Sequence, residues 1–155
     1  MVRTSRPGKV LVKSSQTAGY SGTPLAKKLG VKDGQNTWRY RIPDSVAEEI
    51  ARSGAEPKLL AAPVAGLEMA HIFVTDRDDL ARHLAKLRRL VAPNGTVWVS
   101  WPKKTVPKGV TAIASDVTED AVRDAALPLG FVDVKVCAVD GVWSGLKLVV
   151  RKSER

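Results

Sequence analysis

Cysteine and histidine are nearly absent from this chain, which has only Cys137, His71 and His83. One cysteine forms no internal disulfide, and two widely separated histidines make no metal-ligand pattern, so a disulfide scaffold and a structural zinc site are both excluded. Long apolar runs are missing as well. No segment approaches the ~20 apolar residues that cross a bilayer, and residues 1–20 lack the apolar stretch of a secretory signal. These absences predict a cytoplasmic protein with no membrane partner. Acidic residues are scarce at one end: through Arg41 the chain has nine basic residues against Asp33 alone, so this stretch carries +8 of the formal +9. Clustered positive charge attracts polyanions such as nucleic acid by counterion release, although solvated basic arms also occur on proteins that bind none.

What the chain does contain is enough for a core. Its 155 residues are 44% hydrophobic and 26% charged, close to globular averages, and a domain of this length buries roughly 70% of its unfolded surface. Residues 1–20 hold Arg3, Arg6, Lys9 and Lys13 with only Val10-Leu11-Val12 apolar, which predicts a flexible basic arm. The remaining residues, 21–155, read as a single α/β domain.

Punctuation and periodicity outline that domain. Thr23 as cap, Pro24 at the first helical position and Gly30 as stop predict a short helix over Leu25–Leu29. From Asn36 to Ile42, Trp38, Tyr40 and Ile42 alternate with Thr37, Arg39 and Arg41, the period of a half-buried strand. Pro43 ends it, and Asp44 caps a helix over Ser45–Ser53 closed by Gly54. A brief strand at Leu59–Ala62 follows. The apolar run Ala70–Thr75 predicts a strand covered on both faces. Thr75 or Asp76 then caps a long helix in which Leu80, Leu84, Leu87 and Val91 form one stripe, with acids at its start and Lys86, Arg88 and Arg89 at its end, each facing the helix-dipole end of opposite sign. Pro93-Asn94-Gly95 predicts a turn before a strand over Thr96–Trp101. Thr118 caps a helix to Leu127, and strands at Phe131–Val139 and Val142–Arg151 meet at Asp140-Gly141, a pair favoured in two-residue hairpins.

This order, together with the segments His71-Ile72-Phe73-Val74-Thr75-Asp76, Arg88-Arg89-Leu90-Val91-Ala92-Pro93-Asn94-Gly95 and Thr96-Val97-Trp98-Val99-Ser100, resembles strands four to seven of a class I methyltransferase, from about Ala70 to Arg151. The resemblance implies a Rossmann-like, shortened methyltransferase-type sheet, mostly parallel with a C-terminal antiparallel hairpin. In that family a glycine-rich loop after the first strand holds adenosylmethionine. Here the equivalent stretch is Ile42-Pro43-Asp44-Ser45-Val46-Ala47, without glycine. Tyr20-Ser21-Gly22-Thr23-Pro24-Leu25-Ala26-Lys27-Lys28-Leu29-Gly30, Val99-Ser100-Trp101-Pro102-Lys103-Lys104, and Val132 to Asp140 with Trp143-Ser144-Gly145-Leu146-Lys147 also resemble an uncharacterised bacterial family of unknown function, which brings no cofactor or catalytic residue with it.

Ligands of open α/β sheets bind beyond the carboxyl ends of the strands. Asp44 and Ser45, Thr75 and Asp76, and Trp101, Lys103 and Lys104 fall there. Trp101 stacks on a planar group while the lysines meet an anion, or else these residues are caps, core and solvated loop. A second candidate, Ser21, Gly22 and Thr23 with Lys27 and Lys28, offers free helix amides and two cations to an anion, or is an ordinary capped helix. Cys137 reads as an inert core thiol, and Trp38, Trp98 and Trp143 as core aromatics. Three functions remain open: a non-enzymatic binding or accessory protein for a small molecule or protein, an adenosylmethionine- or nucleotide-dependent enzyme with an atypical site, and nucleic-acid binding through the basic N-terminal region.

Overall fold

A computed structural model describes residues 22–155. The arm expected at residues 1–20, and Ser21 of the second candidate site, lie outside the described residues. The order is α1 (Leu25–Leu29), β1 (Asn36–Tyr40), α2 (Asp44–Ala51), β2 (Lys58–Leu59), β3 (Leu67–Phe73), α3 (Arg77–Leu90), β4 (Val91–Pro102), α4 (Glu119–Ala126), β5 (Phe131–Ala138) and β6 (Trp143–Val150). Short 3-10 turns follow α4 and β6.

Six strands form one sheet in the order β2-β1-β3-β4-β6-β5. The first four are parallel, and β6 and β5 close the sheet as an antiparallel hairpin. This is the mostly parallel α/β sheet with a terminal hairpin that the sequence predicts. Both faces of the sheet are covered, because apolar side chains of either parity occur on the central strands. Ala70, Ile72, Val97 and Val99 pack with the Leu80-Leu84-Leu87 stripe of α3 and with Val122 and Ala126 of α4. On the opposite face Met69, Phe73 and Trp98 pack with Leu25 and Leu29 of α1 and Val46 and Ile50 of α2. Each leucine of the stripe contributes about 1.5–3 kcal/mol by its burial, more than any single polar contact described below.

Several local expectations are corrected. Thr23 is not the α1 cap; Pro24 occupies that position without a side-chain bond. Pro43 likewise stands at the α2 cap position, with Val46 and Ala47 donating to its carbonyl at 3.0 Å, so Asp44 is the first helical residue. In both cases the proline ring sets φ while ψ stays extended. β1 is half-buried but without the expected alternation, since Thr37 is its one fully buried residue while Trp38, Arg39 and Tyr40 are intermediate. The hairpin turn spans 139–142 rather than two residues. There Asp140 Oδ1 accepts from the amides of Val142 and Trp143, both at 2.8 Å, an Asx-type turn that does not use the left-handed freedom of glycine. Asp76 and Thr118 do cap their helices, accepting from Asp79 N at 2.8 Å and Ala121 N at 3.1 Å.

β2 pairs only with Asn36 and Thr37, at the amino end of β1. The chain has therefore hardly left the amino edge, and residues 60–66 reach β3 beyond β1 without a crossover helix. Pro93-Asn94-Gly95 is drawn into a long β4 as an irregularity, with Leu67 opposite Val91 and Met69 opposite Thr96. A Cβ on Gly95 would lie 2.9 Å from the Leu67 carbonyl oxygen, a clash with backbone that cannot move aside. Gly95→Ala is therefore expected to cost about 1–3 kcal/mol, as overpacking does, read as a lower urea midpoint with an unchanged m value.

Candidate functional site

The strand order reverses between β1 and β3, which makes the carboxyl ends of these strands the topological switch point where ligands of open α/β sheets bind. Immediately after β1, Arg41 adopts φ 55°, the one non-glycine residue at positive φ among the described residues. Such a conformation costs about 1–2 kcal/mol for an L-residue. Its guanidinium carbon stands 5.2 Å from the centroid of the Tyr40 ring, and Ile42 packs into the α1–α2 core. The sharp turn that glycines provide in cofactor loops is thus made here by a residue with a large cationic side chain.

Tyr40 anchors a polar cluster that sequence reasoning missed. Its hydroxyl lies 3.0 and 3.2 Å from the two carboxylate oxygens of Asp79, and Arg82 pairs with the same carboxylate. Burial, then the hydrogen bond to Asp79 and the charge of its carboxylate, raises the Tyr40 pKa. His83 packs its ring 4.0 Å from the Tyr40 ring. Its Nε2 is buried, with Asp79 Oδ1 at 3.3 Å but at an angle that makes no hydrogen bond. Burial, the largest influence, holds the His83 pKa below its ordinary value, against the pull of Asp79. The i, i+4 spacing of Asp79 and His83 was visible in the sequence, whereas their meeting with Tyr40 depends on how α3 sits on β1.

The carboxyl-edge candidates are divided by the fold. Trp101, Lys103 and Lys104 line one cavity of about 390 Å³ with Thr105, Val117, Thr118, Ser144 and Glu119, whose carboxylate is paired with Arg123, within the range of small-ligand pockets. Trp101 is 7% exposed and belongs to the α3–α4 core, so only its rim is offered to a ligand. The α4 N-terminus, capped by Thr118, adds its positive dipole end. Asp44, Ser45, Thr75 and Asp76 do not line this cavity. Asp76 is engaged as a cap, Asp44 and Ser45 are exposed at the start of α2, and the Thr75 carbonyl accepts from Asp116 N at 3.1 Å. Asp116 also accepts from Arg77 N at 3.0 Å, fastening the loop after β4 across the edge.

Of the described residues of the second candidate site only Lys28 is bonded inward. Lys28 Nζ donates to Ala138 O at 3.0 Å, which ties α1 to β5. Lys27 is exposed, and Gly22 has φ 85°. Cys137 is half-buried with its pKa raised by desolvation, which disfavours the reactive thiolate. His71 is a core residue rather than a free imidazole at the surface. It lies buried within β3, its Nε2 2.8 Å from Ser100 Oγ on β4 and its ring stacked on Phe73 at 4.3 Å. Burial, followed by the nearby Arg39 charge, lowers its pKa to about 3. Among the described residues no three of His, Cys, Asp and Glu are grouped for a metal, and no helix is long and apolar enough to cross a membrane.

No family model and no curated protein matches the chain, so its likeness to the uncharacterised bacterial family has no further support. Solved structures do match. The chain is similar to a SAM-dependent methyltransferase from Aquifex aeolicus with TM-score 0.59 at 13% identity, over 81% of this chain and 88% of that one. It is also similar to a possible exported protein from Bordetella parapertussis, with TM-score 0.52 at 10% identity, over 82% and 66%. At these identities the likeness establishes a Rossmann-like, methyltransferase-type fold.

Adenosylmethionine does not fit the residues at the usual place. The turn after β1 carries Arg41, Ile42 and Pro43 where a glycine backbone approaches the ligand. The two-residue β2 continues into Leu60-Ala61-Ala62, with no acid where an acidic side chain holds a ribose in related dinucleotide folds.

His71 makes a pH prediction. The unfolded chain takes up a proton near 6.5 and the folded chain only near 3, so this group's contribution to stability is complete above 6.5 and is lost as pH falls toward 3. The slope is at most about 1.4 kcal/mol per pH unit, and His83 adds in the same direction. His71→Gln is expected to flatten the decline between pH 6.5 and 4.5 by close to one proton, measured by urea unfolding at several pH values.

Proposed function

We propose that the chain is a non-enzymatic binding protein on a shortened methyltransferase-type sheet, and that it takes a small anionic ligand with a planar apolar part at the carboxyl edge. The observation that carries this reading is the turn after β1, where side chains replace the cofactor loop and Arg41 closes over Tyr40. Of the carboxylates at this edge, Asp79 is engaged with Tyr40 and Arg82 and Asp76 with its own helix, while Asp44 is exposed at the start of α2. The ligand's place is the cavity beside Trp101, where Lys103 and Lys104 provide charge and Ser144 a hydroxyl. Neither lysine has a carboxylate partner within ion-pair distance. A second reading, an adenosylmethionine-dependent enzyme with an atypical site, draws on the likeness to the Aquifex methyltransferase.

Two measurements separate them. Calorimetry with adenosylmethionine or its demethylated product at millimolar concentration is expected to give no heat; saturable heat together with methyl turnover lost on Asp44→Ala or Asp76→Ala would establish the second reading instead. Phenyl phosphate, used as a planar anionic probe, is expected to shift the Trp101 indole resonance in NMR spectra. Lys103→Ala with Lys104→Ala is expected to weaken that interaction at least about tenfold, the equivalent of one charge-assisted contact. An unmoved Trp101 signal would remove the cavity from the proposal.

A further inference from the structure

We infer that the groove at the amino edge of the sheet binds a short zwitterionic peptide, with its free amino group at Glu68 and its free carboxylate at Lys147. The groove encloses about 710 Å³, within the range of small-ligand sites, and lies at the opposite end of the strands from the Trp101 cavity. Its walls are residues 30–35, which lead from α1 into β1, and residues 92–96, where β4 departs from regular register with β3. Its charge is balanced: Lys32 and Lys147 line it together with Asp33 and Glu68, and none of the four belongs to an ion pair among the described residues. Such a site selects neither a simple anion nor a simple cation. It selects a molecule that carries both signs, each end beside its opposite.

Lys32 and Asp33 are adjacent on one loop and offset each other, which leaves Glu68 and Lys147 as the two separated charges. Glu68 is held in place by Asn36 N, which donates to its Oε1 at 2.8 Å. That bond leaves its charge and its second oxygen to a ligand ammonium. Lys147 lines the groove from β6, where its cross-strand neighbour on β5 is Lys135, a like charge rather than an acid. Glu68 stands on β3, and β4 runs between the two. Two strand spacings are about 9.5 Å, and three peptide residues span about 10 Å when extended. Along the strands Lys147 is level with His71 through Trp98, and the long lysine side chain takes up the offset back to Glu68. A free amino acid, whose two charges share one carbon, cannot reach both. Between the ends Asn94 and Thr96 offer an amide and a hydroxyl to the peptide groups. Among the described residues no aromatic side chain lines the groove, so recognition rests on the termini and backbone of the peptide rather than on a ring.

The test is calorimetric titration of the full chain with triglycine, its N-acetyl form, its C-terminal amide and glycine, while NMR follows the side-chain amide of Asn94. Triglycine is expected to bind saturably and to move that signal. Capping either end is expected to weaken binding at least about tenfold, the equivalent of one charge-assisted contact, and glycine is expected to bind more weakly still. Glu68→Gln keeps a side-chain oxygen for Asn36 N, and it is expected to erase the preference for triglycine over its N-acetyl form while the preference over the amide remains. Lys147→Gln is expected to do the reverse. Loss of folding would remove both preferences together, so this exchange separates recognition from stability. Lys103→Ala with Lys104→Ala, which tests the Trp101 cavity, is expected to leave triglycine affinity unchanged. Three results would overturn the inference: no saturable binding of triglycine, binding of glycine or of either capped peptide as tight as that of triglycine, or both preferences intact in the two variants.

Discussion

Burial of both faces of β3 and β4 is the constraint from which the rest of the structure follows. Ala70, Ile72 and Val74 point to one helical layer and Met69 and Phe73 to the other, each nearly inaccessible to water. A sheet buried on both sides needs helices on both sides, and every polar atom inside it needs a partner within the protein. His71 and Ser100, side by side on the two central strands, meet that need by bonding to each other. Trp98 does so by donating its indole N–H to Leu29 O at 2.8 Å, which also locates α1.

With its centre filled, the sheet has only its margins for function. At the carboxyl edge the chain is held by local ties: the Arg41 bend, the Asp76 cap, and Asp116 fastened to Thr75 and Arg77. The strain at Arg41, about 1–2 kcal/mol, is offset several times over by the leucine stripe beneath it, so the bend persists without a glycine. The same bend puts a large cationic side chain where such loops carry glycine. Fold and cofactor site therefore part company in this chain: the sheet is methyltransferase-like, while the turn that gives such sheets their ligand is differently built.

Much of this architecture was legible in the residues. Amphipathic spacing located α3, paired charges oriented it, and Thr118 and Asp76 marked their helices correctly, because these signals are local. Proline misled in two places, Pro24 and Pro43, where the ring itself occupied the cap position that Thr23 and Asp44 were expected to fill. Asp140-Gly141 suggested a two-residue turn, but the Asp140 carboxylate organised a longer one. The Tyr40–Asp79–His83 cluster was invisible for a different reason: Asp79 and His83 are neighbours on one helix, but Tyr40 is far off in sequence and meets them only through the seat of α3 on β1. Trp101, Lys103 and Lys104 were recognisable as neighbours because adjacent residues at a strand end share an edge, whereas Asp44 and Asp76, on opposite sides of the sheet, were not bound to meet them.

The central claim is that the turn after β1 does not hold adenosylmethionine. Backbone amide NMR of the full chain during titration with the cofactor to millimolar concentration tests it most directly. The account predicts that the amides of Tyr40, Arg41, Ile42, Asp44 and Ser45 stay in place throughout. Saturable, concentration-dependent shifts concentrated on those amides would contradict it.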